Sequence, residues 1–115
     1  MDILIKAEQF VIPQFKDKLS LAFTYHNLDH TLRVVKSIKK IIEHDSVDEQ
    51  SGELLLLAAW FHDIGYINCC DKHEEDSIAI SRKFLEEQAH PQDTISEVVK
   101  LINATAYKYQ PQNRN

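Results

Sequence analysis

The chain has 115 residues, a length typical of one folded domain, and its 43% hydrophobic and 27% charged residues exclude a wholly disordered chain. The net charge of −5, with no basic stripe, argues against a nucleic-acid polymer as the partner. Two glycines and three prolines provide too few tight turns for a β-sandwich or a barrel.

Membrane insertion and disulfide bonding are also disfavoured. The longest apolar run, residues 54–61, is too short to cross a bilayer, and the first residues lack the layout of a signal peptide. Cys69 and Cys70 are adjacent, so they cannot join distant segments of a small fold. We therefore expect a cytoplasmic protein with free thiols and no membrane partner.

Apolar residues follow helical spacing from the N-terminus onward. Ala7, Phe10 and Val11 lie three and four positions apart, as on one helix face. Pro13 lacks a backbone N–H, so we expect it to kink or end this first helix. The second predicted helix begins at Asn27, a residue type that caps helix N-termini. Its apolar stripe consists of Leu28, Leu32, Val35, Ile38 and Ile42.

The middle of the chain predicts one buried helix between two connections. Residues 45–50 form a polar connection, and residues 54–62 are so apolar that we expect this helix to be buried on most sides. Gly65 is predicted to end it in the left-handed conformation. Residues 66–70 are then expected to form a loop.

Two further helices are predicted in the C-terminal half. Asp71 and Glu74 resemble a capping box for the fourth helix, which the dipeptide His90-Pro91 should end. The fifth helix has the clearest amphipathic stripe, formed by Ile95, Val98, Val99, Ile102 and Ala106. We therefore predict an all-α bundle of about five helices, with a domain at residues 1–106 and a polar tail at residues 107–115.

Side chains capable of chemistry occur in three groups, at residues 25–30, 62–63 and 73–75. Histidine nitrogen and carboxylate oxygen are common protein ligands of divalent metals. His30 and His62 share helix faces with apolar residues, so both rings should point inward. His62 and Asp63 diverge by ~100° on a regular helix, so they can reach one metal only near a helix end.

Each group also has a simpler interpretation. A single buried histidine is more often a hydrogen-bonded core residue than a metal ligand. Residues 73–75 suit the first turn of a helix, where acidic side chains favour the helix dipole. Arg33 lies close enough to His30 to bind a phosphate, although it also belongs to a basic strip that suits a solvated helix face.

Three segments together, however, form an ordered pattern: Tyr25–Thr31 (YHNLDHT), Ala58–Tyr66 (AAWFHDIGY) and His73–Ser77 (HEEDS). This pattern resembles the HD-domain superfamily of metal-dependent phosphohydrolases, in particular small bacterial members. The resemblance extends through most of the chain and ends with Leu101–Thr105. It implies an HD-type helical bundle.

The resemblance also assigns roles to residues. His30, His62 and Asp63 match the first three metal ligands of the family, and Asp63 could bridge to a second ion. Glu74 would be a catalytic proton-transfer or outer-sphere group. The three residues expected to orient a ligand or contact the substrate are His26, His73 and Arg33.

The family pattern contains one more ligand, a late Asp in a stretch resembling Asp-Ala-Asp-Leu. No Asp follows Asp93 in this sequence. We therefore expect the N-terminal part of an HD domain, without its last ligand and its closing C-terminal helices. Apolar faces left uncovered in this way would favour a homo-oligomer.

The activity implied by the resemblance is hydrolysis of a phosphoester in a small nucleotide-like substrate by water that a divalent metal activates. The metal would be Mn, Fe, Mg, Ni, Co or Zn, because mixed nitrogen and oxygen ligands discriminate poorly among them. Two alternatives remain open: a non-catalytic regulatory module that binds a nucleotide or metal, and an inactive helical fragment.

Overall fold

Helices account for almost all of the described chain in the computed structural model. The structure describes residues 2–18, 21–67 and 73–108, without the side chains of residues 18, 21–27, 73 and 105–108. Within these ranges there is no strand, which confirms the all-α prediction. The helices are α1 (Ile3–Lys18), α2 (Leu21–His44), α3 (Glu49–Phe61), α4 (His73–Glu87) and α5 (Gln92–Lys108), and a short 3-10 helix (Ile64–Ile67) follows α3.

The central helix is α3, which packs against α1, α2 and α5. Residues 56–61 are all buried, so every side of the helix is covered by a neighbour. This confirms the burial predicted from its apolar sequence. Gly52 lets α3 approach α2 closely, because a Cβ atom at this position would lie 3.3 Å from Cδ1 of Ile42.

Three aromatic rings anchor the C-terminal end of α3. Phe61 is fully buried, and its ring centroid lies 6.1 Å from that of Phe10 on α1 and 5.2 Å from that of Phe84 on α4. The rings of Phe10 and Phe84 are themselves 5.1 Å apart. These tilted contacts hold three helices together at the residue that directly precedes His62.

Pro13 does not end the first helix, because α1 continues to Lys18 with Pro13 inside it. That part of the prediction is wrong. Pro13 has no N–H to donate to the carbonyl of Gln9, one turn earlier. Both residues are exposed, so water can solvate that carbonyl. The opposite face is buried, and each of its large apolar side chains contributes about 1.5–3 kcal/mol against the ~3 kcal/mol cost of the proline. The buried side chains of this face are Ile3, Ala7, Val11 and Phe15.

The predicted start of the second helix is also wrong. α2 begins at Leu21, and Asn27 lies inside it rather than capping it. An asparagine in a helix interior costs only a fraction of a kcal/mol, which propagation of a long helix readily outweighs. Leu32 of the predicted apolar stripe is 41% exposed, and the fully or nearly fully buried positions are Thr31 and Val35.

The connection between α2 and α3 is shorter than predicted. Asp48 caps α3 by accepting a hydrogen bond of 3.0 Å from the backbone N–H of Ser51, so the helix begins at Glu49. This bond lowers the pKa of Asp48, because it stabilises the carboxylate.

α4 ends at Glu87, before His90-Pro91, as the sequence predicts. Ala89 adopts a left-handed φ of 59°, and the N–H of His90 donates to the carbonyl of Leu85 at 3.0 Å. The capping-box residue Asp71 and the two cysteines lie outside the described residues.

Three residues of the stripe predicted for α5, Ile95, Val98 and Ile102, are fully buried, and Val99 is half-buried. The side chain of Ala106, the fifth, lies outside the described part of the structure. The helix continues to Lys108, and the boundary between a domain at residues 1–106 and a polar tail stays a prediction. A search of the described helices finds none that is both long and apolar enough to span a membrane.

Candidate metal centre

The end of α3 brings two adjacent polar side chains to one place. α3 ends at Phe61, His62 is its C-cap, and Asp63 precedes the 3-10 helix. His62 keeps helical backbone dihedrals (φ −62°, ψ −28°), but it lies directly after the last residue of α3, near the helix end that the sequence required for a shared metal. The left-handed cap predicted at Gly65 is wrong, because no described glycine has a positive φ. The chain tightens into the 3-10 helix instead, and the N–H of Tyr66 donates to the carbonyl of Asp63 at 3.2 Å.

His30 on α2 completes a group of three side chains. Oδ2 of Asp63 lies 3.2 Å from Nε2 of His62 and 3.5 Å from Nε2 of His30. The two imidazole rings are tilted by 58°, with centroids 5.3 Å apart. One potential ligand atom from each residue lies within 4.8 Å of the other two. The structure thus brings together the three side chains that the family resemblance assigned to metal binding.

These separations suit a divalent metal. Metal–ligand bonds of about 2.1 Å place neighbouring ligand atoms about 3.0 Å apart at octahedral angles and about 3.4 Å apart at tetrahedral angles. Both distances from Oδ2 of Asp63 are close to this range. The donor set of two imidazoles and one carboxylate is also appropriate for Mn, Fe, Co, Ni or Zn.

The orientation of His62 is set by a backbone contact. Nδ1 of His62 lies 2.7 Å from the carbonyl oxygen of Ala59, one turn earlier on α3. A carbonyl only accepts hydrogen bonds, so Nδ1 donates its proton, and Nε2 of the neutral ring keeps a free lone pair directed toward Asp63. Such a hydrogen bond typically fixes the tautomer of a metal-binding histidine.

Burial and the contact with Asp63 act in opposite directions on the pKa of His62. Burial disfavours the charged imidazolium and alone would lower the pKa of His62. The hydrogen bond to Asp63, the negative charge of that residue and the hydrogen bond to Ala59 together outweigh burial, so the pKa of His62 is raised. Without a metal, His62 and Asp63 therefore form an ion pair more readily than two isolated groups.

The two histidines differ in exposure. The side chain of His62 is 6% exposed, which confirms the predicted inward orientation. The side chain of His30 is 53% exposed, so the prediction that it is buried is wrong. Because α2 lies at the edge of the bundle, one side of its imidazole borders the centre while the other faces solvent. The group is thus accessible from one direction.

A cavity of about 500 Å³ adjoins the two histidines, between α2, α3 and α5. Arg33 lines this cavity, and its guanidinium also pairs with Asp29 at 2.9 Å. Its contact with a substrate stays a prediction. Apart from Ser37, the other residues that line the cavity are apolar: Val34, Ile38, Ile41, Leu55, Ala58, Ala59 and Leu101.

Three further predicted site residues are Glu74, His26 and His73. Glu74 is half-buried in the first turn of α4 and does not belong to the three-residue ligand group. His26 lies within α2 and His73 begins α4, but their side chains lie outside the described part of the structure. Their predicted contacts with a ligand or substrate remain predictions.

Sequence analysis missed two contributors to the site. One is the carbonyl of Ala59, a backbone group whose role no residue type in the sequence could indicate. The other is Ser77 on α4, whose hydroxyl accepts a 2.8 Å hydrogen bond from the N–H of Gly65. The sequence did place this small polar residue on the buried stripe of α4. A buried hydroxyl needs a hydrogen-bond partner, so its position could have indicated a contact of this kind.

Comparison with known proteins identifies the family. The family model described as HD domain matches residues 27–113, most of the chain, including all three members of the ligand group. The comparison with curated proteins returns no match, and the comparison with solved structures also returns none. On the extent of the family match, this chain belongs to the HD domain family.

Proposed function

We propose that this domain hydrolyses a phosphoester bond in a small nucleotide-like substrate with the help of a divalent metal. HD domains are generally metal-dependent phosphohydrolases and bind divalent metals. The observation that carries the proposal is the convergence of His30, His62 and Asp63 beside a cavity. A buried histidine with only a structural role would not require a second imidazole and a carboxylate at these distances.

The three side chains would hold the metal through Nε2 of His30, Nε2 of His62 and Oδ2 of Asp63. When bound, the metal supplies Lewis-acid polarisation of a phosphoryl oxygen and a hydroxide nucleophile at neutral pH. The Ala59 carbonyl keeps the His62 ring in the required tautomer. The exposed side of His30 leaves an approach for the substrate from solvent.

The cavity supports the proposed substrate class. Its apolar walls between α2, α3 and α5 can cover the organic part of a phosphate ester, such as a nucleobase or sugar. Arg33 offers a guanidinium that is always charged and suited to bidentate phosphate binding. Its salt bridge to Asp29 is solvent-exposed, so exchanging this partner for a phosphate costs little.

Glu74 is our proposed proton-transfer group. It lies in the first turn of α4, which packs against the 3-10 helix that follows Asp63. A carboxylate in that position could accept or donate a proton through water near the scissile bond. Glu74→Gln should then lower kcat while leaving metal content unchanged, because Glu74 is outside the ligand group.

The proposal is tested by measuring metal content and hydrolysis in the same preparations. His30→Ala is the informative variant, because His30 is half exposed and its removal should spare the fold. His44→Ala is the matched control, since His44 is an exposed histidine on the same helix. Metal per chain is measured by plasma mass spectrometry on protein purified without a histidine tag. The substrate panel contains nucleoside monophosphates, cyclic nucleotides and guanosine polyphosphates.

We expect near-stoichiometric metal in the wild type and in His44→Ala, with loss of metal and hydrolysis in His30→Ala. Bound metal and nucleotide without turnover would instead identify the domain as a regulatory binding module. No metal after soaking in Mn²⁺ or Ni²⁺ would contradict the proposal.

A further inference from the structure

Ser77 connects α4 to the turn that carries the metal ligands. Its hydroxyl oxygen accepts a hydrogen bond of 2.8 Å from the backbone N–H of Gly65, twelve residues earlier in the chain. Both residues are buried, and the side chain of Ser77 is completely inaccessible to solvent. The hydrogen bond therefore cannot be replaced by bulk water without opening the structure.

The donor lies two residues after Asp63. α3 has already ended at Phe61, so the backbone of residues 62–67 is not held by the regular hydrogen bonds of that helix. A local bond from Tyr66 to Asp63 closes the 3-10 turn, but it joins residues of the same segment. The bond from Gly65 to Ser77 instead ties this segment to another helix.

We propose that Ser77 is a positioning residue for the metal centre, an inference that rests on the proposed function. By holding the Gly65 amide, it sets the backbone direction of the turn and therefore the position of the Asp63 carboxylate relative to His30 and His62. Metal ligands must be placed to within about 0.5 Å for productive binding. Ser77→Ala leaves a buried N–H without its acceptor, and the turn shifts to find another.

Ser81 provides a matched control on the same helix face. It lies four residues after Ser77 and is equally buried, but its hydroxyl donates to the carbonyl of Ile78 within α4 at 2.9 Å. Ser81→Ala thus removes a buried hydroxyl from the same helix without touching the turn. Both substitutions should lower the melting temperature, which separates a general loss of stability from an effect on the ligands.

The first measurement is the Kd for Mn²⁺ by isothermal titration calorimetry. We expect Ser77→Ala to raise the Kd about 10-fold to 100-fold, as is typical when a residue that supports a ligand is removed. Ser81→Ala should change the Kd less than about twofold. Equal changes in the two variants, or an unchanged Kd in Ser77→Ala, would overturn the proposal.

A second measurement does not depend on metal. Amide hydrogen exchange of Gly65, followed by NMR, should accelerate in Ser77→Ala and remain slow in Ser81→Ala. If the wild type binds no metal, the proposed function fails, and unchanged exchange at Gly65 would separately show that Ser77 does not hold the turn. Ser77→Cys keeps a polar atom at the same position but replaces the hydroxyl by a larger thiol, which is a weaker acceptor. If Ser77→Ala does not fold, the same comparisons are made with Ser77→Cys.

Discussion

Replacing Asp63 by Asn in the metal-free protein should reverse the direction of the His62 pKa shift. The substitution keeps the shape of the side chain and removes its charge, so it isolates the electrostatic contribution. In the wild type, the interactions of His62 with Asp63 and Ala59 raise its pKa above the ordinary value of 6.5 despite burial. In the variant, burial, which is already the largest single influence, no longer competes with the negative charge of Asp63, and the pKa should fall below that value.

The magnitude follows from the geometry. At the 3.2 Å between Nε2 of His62 and Oδ2 of Asp63, Coulomb's law with an effective dielectric of about 20 gives an attraction of about 5 kcal/mol between the two charges. Water reaches Asp63, whose side chain is 17% exposed, and weakens the attraction. Even a part of this attraction is a large contribution, so its loss should let burial decide the direction of the His62 pKa shift.

The assay is an NMR titration of the His62 ring protons in the presence of chelator. Asp45→Asn is the control, because Asp45 forms an exposed pair with His44 and its loss should leave the His62 titration unchanged. A His62 pKa that stays above 6.5 in Asp63→Asn would refute the reasoning. That result would mean that the carboxylate is not the partner that stabilises the imidazolium.

Three other predictions address the metal and the fold. Metal binding requires a neutral His62 imidazole, so the metal affinity should fall about tenfold per pH unit below the raised pKa of His62. Calorimetry between about pH 5.5 and 8 measures this dependence, and a metal affinity independent of pH would exclude His62 as a ligand. In the metal-free protein, the free energy of unfolding should change with pH in the opposite direction. The raised pKa of His62 in the folded state contributes stability that is complete below pH 6.5 and is lost as the pH rises through that folded-state pKa. Phe61→Ala should lower the free energy of unfolding, measured by urea denaturation, by about 3–5 kcal/mol. Leu32→Ala at an exposed position should lower it by less than about 0.5 kcal/mol. Similar losses in the two variants would show that the ring cluster does not anchor α3. Pro13→Ala should stabilise the protein by about 2 kcal/mol, because it restores a helical hydrogen bond and removes the clash of the proline ring, together worth about 3 kcal/mol, and loses about 1 kcal/mol of unfolded-state restriction. A destabilised variant would contradict a continuous α1.

The helices whose apolar pattern is continuous were predictable from local information. Residues 56–61 of α3 are apolar without interruption, and only a helix covered on every side can bury such a run. The stripe Ile95, Val98 and Ile102 likewise has one face to bury. The break at His90-Pro91 follows from the missing N–H of proline and its clash with the preceding turn.

Helix ends and the burial of His30 were less predictable. Pro13 and Asn27 carry helix-breaking or capping signals of about 1–3 kcal/mol, and the packing of a long helix face exceeds such values. His30 has apolar neighbours at helical spacing, but its exposure depends on the position of α2 at the edge of the bundle. A pattern along one helix contains no information about where its neighbours end.

The candidate metal ligands His30, His62 and Asp63 could be named from their order and spacing in the sequence, and all three lie within the range that the family model matches. Their mutual distances were not available. The hydrogen bond between His62 and the Ala59 carbonyl is local to the end of α3, but the approach of His30 to Asp63 and the hydrogen bond between Gly65 and Ser77 join residues that are distant in the sequence. These two contacts form only when α2, α3 and α4 pack together.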